Sequence, residues 1–200
     1  MKKILLIIIF LLLTGCGKYT DLNNLAIIKS MGISHNDTYT VYAQIIDNMT
    51  KDNEVQIKVI ESSDSNLENA IQKIKLQVNK EIYMSHLDLI IFDYNLKNND
   101  YQEIIHYFIN NNKFRNDFLC VFSKNIEHVL TNSQYDEIEF FLEMNQENKG
   151  IIYKRFEKVI QEYLDNNVFS LSGISYSNEI TFEGNYQYNK KTERVIHEKN

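Results

Sequence analysis

Several residue types are scarce in this chain, and their scarcity limits what it can be. The 200 residues include no proline, no tryptophan, only six glycines and only two cysteines. The glycines are scattered, so there is no glycine-rich loop of the kind that cradles phosphate groups. No stretch rich in glycine, proline or serine divides the chain, which favours one domain, or one domain with a small appendage.

Positive charge is also in short supply. Lysine and arginine number 21 against 27 aspartates and glutamates, which gives a formal net charge of −6. The sequence shows neither a basic patch nor a cationic amphipathic helix. Because lysine and arginine drive nucleic-acid binding by neutralising phosphates, we expect no nucleic acid among the partners of this protein.

Residues with catalytic or metal-binding chemistry do not form a recognisable set. The five histidines include no pair at metal-ligand spacing. Ser85 and His86 are neighbours before a predicted strand, and adjacent side chains on a strand point to opposite faces, so they cannot form a serine–histidine couple. We predict that they have a structural role at the strand's end. The sequence therefore predicts no enzyme activity, no metal and no cofactor.

The first residues have the pattern of a secretory signal peptide. Lys2 and Lys3 precede an apolar run, Ile4 to Leu13, which is too short to span a bilayer. The run ends in Leu13-Thr14-Gly15-Cys16, which resembles the lipobox of bacterial lipoproteins. In that family a diacylglycerol is attached to the cysteine thiol, and the peptide before the cysteine is removed. The alternative is an ordinary secretory signal that happens to contain Cys16.

The resemblance to a lipobox implies a protein anchored to the outer face of the cell membrane. We predict a signal peptide at 1–15 and a lipidated Cys16 followed by a short tether, 16–24. Acyl chains anchor stably because each buried methylene contributes about 0.8 kcal/mol. Cys120 would then have no disulfide partner, and its apolar neighbours predict a buried position.

Alternation of apolar and polar residues predicts an antiparallel three-stranded meander at the start of the domain. Its strands are expected at Leu25–Ile33, Val41–Ile45 and Val55–Val59. The period then changes to that of a helix, with one apolar face formed by Leu67, Ala70, Ile71, Ile74 and Val78. Asp64 or Ser65 is the expected N-cap.

The rest of the chain alternates between buried strands and amphipathic helices. Strands are predicted at Leu87–Phe92 and Phe118–Phe122, both continuously apolar as in strands buried on two faces. Helices are predicted from Tyr101 to Ile109 with Asn99 or Asp100 as N-cap, at Ile126–Leu130, at Ile138–Met144, and from Ile152 to Leu164. Strands are expected at Val168–Ser175, Glu179–Tyr188 and Glu193–Ile196.

These elements predict an α+β (mixed α/β) fold, in which helices pack on a mixed sheet that begins with the meander and ends in β-hairpin material. We predict an α/β domain at 25–165 and a β-rich tail at 166–200. The tail is a possible remnant of a second domain.

Four segments in order behind the lipobox resemble the Ger(x)C family of spore germination lipoproteins. They are Leu22–Ile33, Ser65–Ile71, Tyr83–Ile91 with its Ser-His-Leu sequence, and Phe114–Phe122 with its Arg-x-Asp sequence. The resemblance spans roughly residues 16–130. Gly17-Lys18-Tyr19 stands where the family usually has Trp-Asp, and members of the family are longer, so we expect a C-terminally truncated relative.

The resemblance implies a non-enzymatic accessory subunit of a spore nutrient germinant receptor. Such a subunit would dock on integral-membrane receptor subunits, in spores at the inner membrane. The alternatives are a generic envelope lipoprotein that binds a small ligand, or a truncated relative of reduced function. Arg115 and Asp117 are expected to pair locally or to contact a partner. Four tyrosines are candidate surface anchors for a protein contact: Tyr101, Tyr107, Tyr186 and Tyr188.

Overall fold

A ten-stranded mixed β-sheet runs through the computed structural model, which describes residues 25–48 and 55–198. The strands are β1 (Leu25–His35), β2 (Tyr39–Asn48), β3 (Val55–Asp64), β4 (Glu81–Tyr83), β5 (Leu89–Phe92), β6 (Leu119–Phe122), β7 (Lys154–Arg155), β8 (Val168–Tyr176), β9 (Ile180–Asn189) and β10 (Arg194–His197). The helices are α1 (Leu67–Leu76), α2 (Asn98–Asn110), α3 (Ile126–Asn132), α4 (Tyr135–Lys149) and α5 (Phe156–Asn166). The predicted signal peptide, lipidated cysteine and tether lie outside the described residues.

The order of strands in the sheet is β10-β9-β8-β6-β5-β1-β2-β3. The first three strands form the predicted antiparallel meander, and β1, β5, β6 and β8 are parallel. Two short strands were not predicted: β4 pairs with β1, and β7 pairs with β6. The architecture is therefore the predicted α+β fold, with a mixed sheet, a starting meander and C-terminal hairpins.

A β-bulge in β1 keeps its apolar side chains on the correct face. The pairing of β1 with β2 shifts register between Ile28 and Ser30, so Lys29 is an extra residue. Ile28 and Met31 consequently lie in the same buried cluster although they are three residues apart. A strand of uninterrupted period two would place them on opposite faces.

Helices cover both faces of the sheet. One face packs against α1, α2 and α5, and the other packs against α3 and α4. The central strands supply alternate side chains to the two layers: Ile90 and Phe92 of β5 go to the first, while Leu89 and Ile91 go to the second. This arrangement confirms that the continuously apolar runs are strands buried on two faces.

Cys120 on β6 is buried, as its apolar neighbours predicted. Burial raises the pKa of its thiol well above the ordinary value, because the charged thiolate would lose its solvation. The side chain therefore acts as a small apolar group within the first layer.

The predicted helix starts need correction. Asn66 is the N-cap of α1, since its side-chain oxygen accepts a hydrogen bond from the N–H of Asn69 at 3.1 Å. Helix α2 begins at Asn98 after the N-cap residue Lys97, so Asp100 lies within its first turn. Ile152 precedes α5 and belongs to the connection before β7, because the chain here is extended against Ser172.

Of the four tyrosines proposed as surface anchors, three are buried and the fourth is half-buried. Tyr101, Tyr107 and Tyr188 are buried. Tyr186 is half-buried and packs on Tyr94, with their ring centroids 4.5 Å apart. Sequence alone misplaced them because aromatic residues serve core and surface contacts equally well.

The C-terminal tail extends the same sheet. β8 pairs with β6, and Phe169, Leu171 and Tyr188 belong to the same buried cluster as the helices of the first layer. Its derivation from a second domain stays a prediction.

Gly32 on β1 allows α3 to lie directly on the sheet. A Cβ atom at this position would come within 2.0 Å of the Cγ2 atom of Ile126. We predict that Gly32→Ala lowers the free energy of unfolding by about 1–3 kcal/mol, because the overlap forces α3 away from the strand. Urea denaturation of purified protein measures the change.

Two controls separate crowding from a general effect on the strand. Ser34→Ala, two residues further along β1, should leave stability nearly unchanged. Adding Ile126→Ala to Gly32→Ala should cost less than the sum of the two single changes, because it removes the overlapping atoms. Simple additivity would contradict this explanation.

Candidate docking surface

The described chain starts at Leu25, so the residues at the amino end of β1 surround the point where the predicted tether joins the domain. β4 pairs with this end of β1 through Leu25–Ile27. The helices α1 and α2 both run back toward this end, because α1 starts after the carboxyl end of β3, and α2 starts where Asp100 meets His35 at the carboxyl end of β1. We call this side of the domain the tether-side surface; its exposed members are Leu76, Tyr83, His86, Ile109 and Arg115.

Ser85 and His86 lie at a turn in the middle of this surface. β4 and β5 pair with the same edge of β1, and the turn fills the interval between them. Met84 and Leu87 on either side are buried and anchor it. His86 is exposed, with its ring centroid 5.2 Å from that of Tyr83. Their structural role stays a prediction.

The turn is fastened to the bulge in β1. The N–H of Asp88 donates to the carbonyl oxygen of Lys29 at 2.9 Å, and the two side chains form an ion pair. Because the bulge leaves Lys29 out of the regular pairing with β2, its carbonyl and side chain can serve the turn instead. The hydrogen bond and the ion pair between Lys29 and Asp88 thus hold the turn, with Ser85 and His86, at the surface.

Three large apolar side chains are exposed on the tether-side surface. The exposed fractions are 83% for Leu76, 41% for Tyr83 and 49% for Ile109. Their neighbours include cations: Lys75 is half-buried, and burial followed by the nearby charge of Lys113 lowers its pKa. Apolar side chains rimmed by charged residues are typical of surfaces that contact another molecule.

Arg115 and Asp117 lie on the loop before β6 and form an ion pair with each other, with 2.7 Å between the guanidinium nitrogen and the carboxylate oxygen. The side chains are 66% and 42% exposed. Arg155 donates a hydrogen bond to the backbone carbonyl of Asp117. The pair is therefore placed on the tether-side surface, where a partner has access to it.

The opposite end of the sheet holds a polar cluster that the sequence did not predict. Nδ1 of His35 lies 2.6 Å from Oδ1 of Asp100, and the hydroxyl of Tyr39 donates to Glu103 at 2.8 Å. The rings of His35 and Tyr39 stack with centroids 4.0 Å apart. Burial, followed by the adjacent carboxylates, raises the pKa of Tyr39.

Both carboxylates in this cluster also accept from backbone N–H groups at helix starts. Asp100 accepts from Lys97 at 2.6 Å, and Glu103 accepts from Leu67 at 3.1 Å. These bonds satisfy donors that the first turn of a helix leaves unpaired. The cluster therefore ties the β1–β2 turn to α1 and α2, which is a structural function.

Residues 25–48 and 55–198 contain no group of three or more His, Cys, Asp or Glu side chains placed to hold a metal ion. Over the same residues, no helix is both long enough and apolar enough to cross a membrane.

Comparison with known proteins adds one finding. A family model described as "Spore germination protein N-terminal domain" matches residues 18–176. Neither a curated protein nor a solved structure matches the chain. The matched range includes β1 to β8 and therefore the whole tether-side surface.

The carboxylate of Asp100 is expected to stabilise the fold. We predict that Asp100→Asn lowers the free energy of unfolding by about 1–3 kcal/mol, because an amide cannot accept from both His35 and the N–H of Lys97 as the carboxylate does. Urea denaturation measures the loss.

Asp37 provides the matched control, since it is exposed in the β1–β2 turn. Asp37→Asn should change stability by no more than about 0.5 kcal/mol. Equal effects of the two substitutions would show that the buried cluster does not stabilise the protein.

Proposed function

The chain belongs to the family described as the spore germination protein N-terminal domain, and from this premise we propose that it is a lipid-anchored, non-enzymatic accessory subunit of a spore nutrient germinant receptor. It would dock on integral-membrane receptor subunits at the outer face of the membrane, which in spores is the inner membrane. The observation that carries the proposal is the family match over residues 18–176, which follows directly on a lipobox-like sequence.

The geometry supports docking close to the membrane. Eight residues separate Cys16 from Leu25, and they can extend to about 30 Å at most. A lipid on Cys16 would therefore hold the amino end of β1 near the bilayer. The tether-side surface, with its exposed Leu76, Tyr83 and Ile109, would then face the region where an integral-membrane partner lies.

The polar groups of the described domain support a non-enzymatic role. The histidine–carboxylate cluster at the far end is engaged in holding helix starts, as the bonds of Asp100 and Glu103 show. Ser85 and His86 are consecutive in a turn. Binding of a small ligand is a weaker candidate. A polar-lined groove of about 320 Å³ contains the side-chain amide of Gln44, but that amide is already hydrogen-bonded within the protein. Its nitrogen donates to Leu130 and Ser133, and its oxygen accepts from Ser30.

The lipid anchor is tested by substitution of its attachment residue. We predict that Cys16→Ser abolishes incorporation of labelled fatty acid and moves the protein from the membrane fraction to the soluble fraction. Without acyl chains, the remaining attraction would have to come from the protein surface alone. Cys120→Ser is the control and should retain both label and location. Membrane retention of unlabelled Cys16→Ser protein would contradict the lipid anchor.

Docking is tested on the exposed apolar residues. We predict that the double variant Leu76→Gln/Ile109→Gln co-purifies with the integral-membrane receptor subunits about five- to tenfold less than the unmodified chain, because it loses apolar contact area. Quantitative recovery from detergent-solubilised spore membranes measures the effect.

Leu164→Gln is the matched control, since Leu164 is 62% exposed on α5. It should co-purify at the unmodified level, and all variants should remain lipidated. If the control loses recovery as much as the double variant does, the tether-side surface is not the docking site.

Loss of the gene should slow nutrient germination and leave growth unaffected.

A further inference from the structure

Strand β3 forms one edge of the sheet. It pairs with β2 from Val55 to Asp64. In the part of the chain that the structure describes, no strand pairs with its outer side. An open strand edge presents a row of backbone N–H and C=O groups that another extended chain can pair with.

Helix α1 and the residue after it cover the second half of this edge. The side-chain amide of Gln77 donates to the carbonyl oxygen of Glu61 at 3.1 Å, and Nζ of Lys73 donates to that of Ser63 at 2.8 Å. Backbone groups that face one edge of a strand recur at every second residue. Ile57 and Val59 therefore turn their N–H and C=O groups to the same outer edge, in the first half of the strand.

A groove lies on each face of the sheet beside this first half. The groove on the α1 side has a volume of about 160 Å³ and is lined by Ile45, Lys58, Ile60, Val78 and Lys80. The groove on the opposite side has a volume of about 320 Å³ and is lined by Ile57, Val59, Thr131, Ser133, Gln134 and Glu137. Each groove is bounded by side chains of β3 itself.

We propose that the outer edge of β3 at Ile57–Val59 binds an extended segment of a partner polypeptide by strand addition. The backbone of that segment pairs with the N–H and C=O groups of Ile57 and Val59. Its side chains alternate between the two faces, so successive residues enter the two grooves. Hydrogen bonds between the two main chains supply the affinity, and the grooves select the side chains of the bound segment.

The side chains that line the grooves define the partner. The groove on the α1 side has apolar walls of Ile45, Ile60 and Val78, which fit aliphatic side chains. The opposite groove carries Glu137 among hydroxyl and amide groups, which fits basic or hydroxyl side chains. The partner segment thus alternates aliphatic residues with basic or hydroxyl residues.

A second copy of the chain fits this edge less well. Two β3 strands paired antiparallel through the same segment would place Lys58 of the second copy, rather than an aliphatic side chain, at the groove on the α1 side. The apolar walls of that groove do not match a lysine, because burial of a charged group is costly. The occupant is therefore a segment of a different polypeptide.

The test uses the full chain, labelled with ¹⁵N and purified in detergent, and a blocked peptide of sequence Thr-Leu-Arg-Ile-Thr-Leu-Arg-Ile. The peptide should bind saturably, with amide shift changes centred on Ile57 and Val59 and with at least about tenfold slower hydrogen exchange at these two amides. No saturation at about 1 mM peptide, or shifts centred elsewhere, would overturn the proposal.

Val59→Pro removes one outward N–H, and proline is tolerated on a strand edge where that group is not part of the ladder. It should weaken peptide binding at least about tenfold, whereas Val59→Thr, which keeps the N–H, should bind within about threefold. Equal binding by both variants would overturn strand addition.

Two further measurements complete the test. A peptide with the same side chains and alternate N-methylated amides should not bind, and this result decides the matter if Val59→Pro fails to fold. Sedimentation of the peptide-free chain should show no dimer. A dimer that Val59→Pro dissolves would overturn the proposed occupant in favour of a second copy. None of these outcomes depends on a role in germination.

Discussion

The pairing of β1 on both of its edges is the constraint on which the rest of the structure depends. β1 joins the antiparallel meander to the parallel strands, with β2 on one side and β4 and β5 on the other. A buried strand must satisfy its backbone groups on both sides. The bulge takes Lys29 out of the regular pairing with β2. The N–H of Asp88 donates to the carbonyl oxygen of Lys29 and so satisfies it.

The packing of the helices follows from this strand. The bulge keeps Ile28 and Met31 in the layer covered by α1, α2 and α5, while the bare backbone of Gly32 receives α3 on the other face. At the carboxyl end of β1, His35 lies against Asp100, which also accepts from the N–H of Lys97 before α2. One strand thus sets the position of helices on both faces through apolar contact and of one helix start through a hydrogen-bond network.

The proposed function uses the amino end of the same strand. The predicted tether leads into Leu25, and the Ser85–His86 turn is held beside it by the bulge at Lys29. The domain would therefore present its exposed apolar residues toward the membrane. The outer edge of β3 lies at one lateral edge of the sheet and is not part of this surface. A membrane-proximal contact and a strand-addition contact could be occupied together.

The sequence by itself determined the number and type of most elements, because periodicity reports which faces are buried, and it determined the family through short ordered segments such as the Ser-His-Leu sequence. It also predicted burial of Cys120. Only the tertiary structure decided the helix caps, the burial of Tyr101 and Tyr188, and the cluster of His35 with Asp100, because these depend on contacts between residues distant in the chain. Exposure of Leu76 and Ile109, and the open edge of β3, were likewise settled by how the elements pack, since local pattern does not specify which neighbour covers a given side chain.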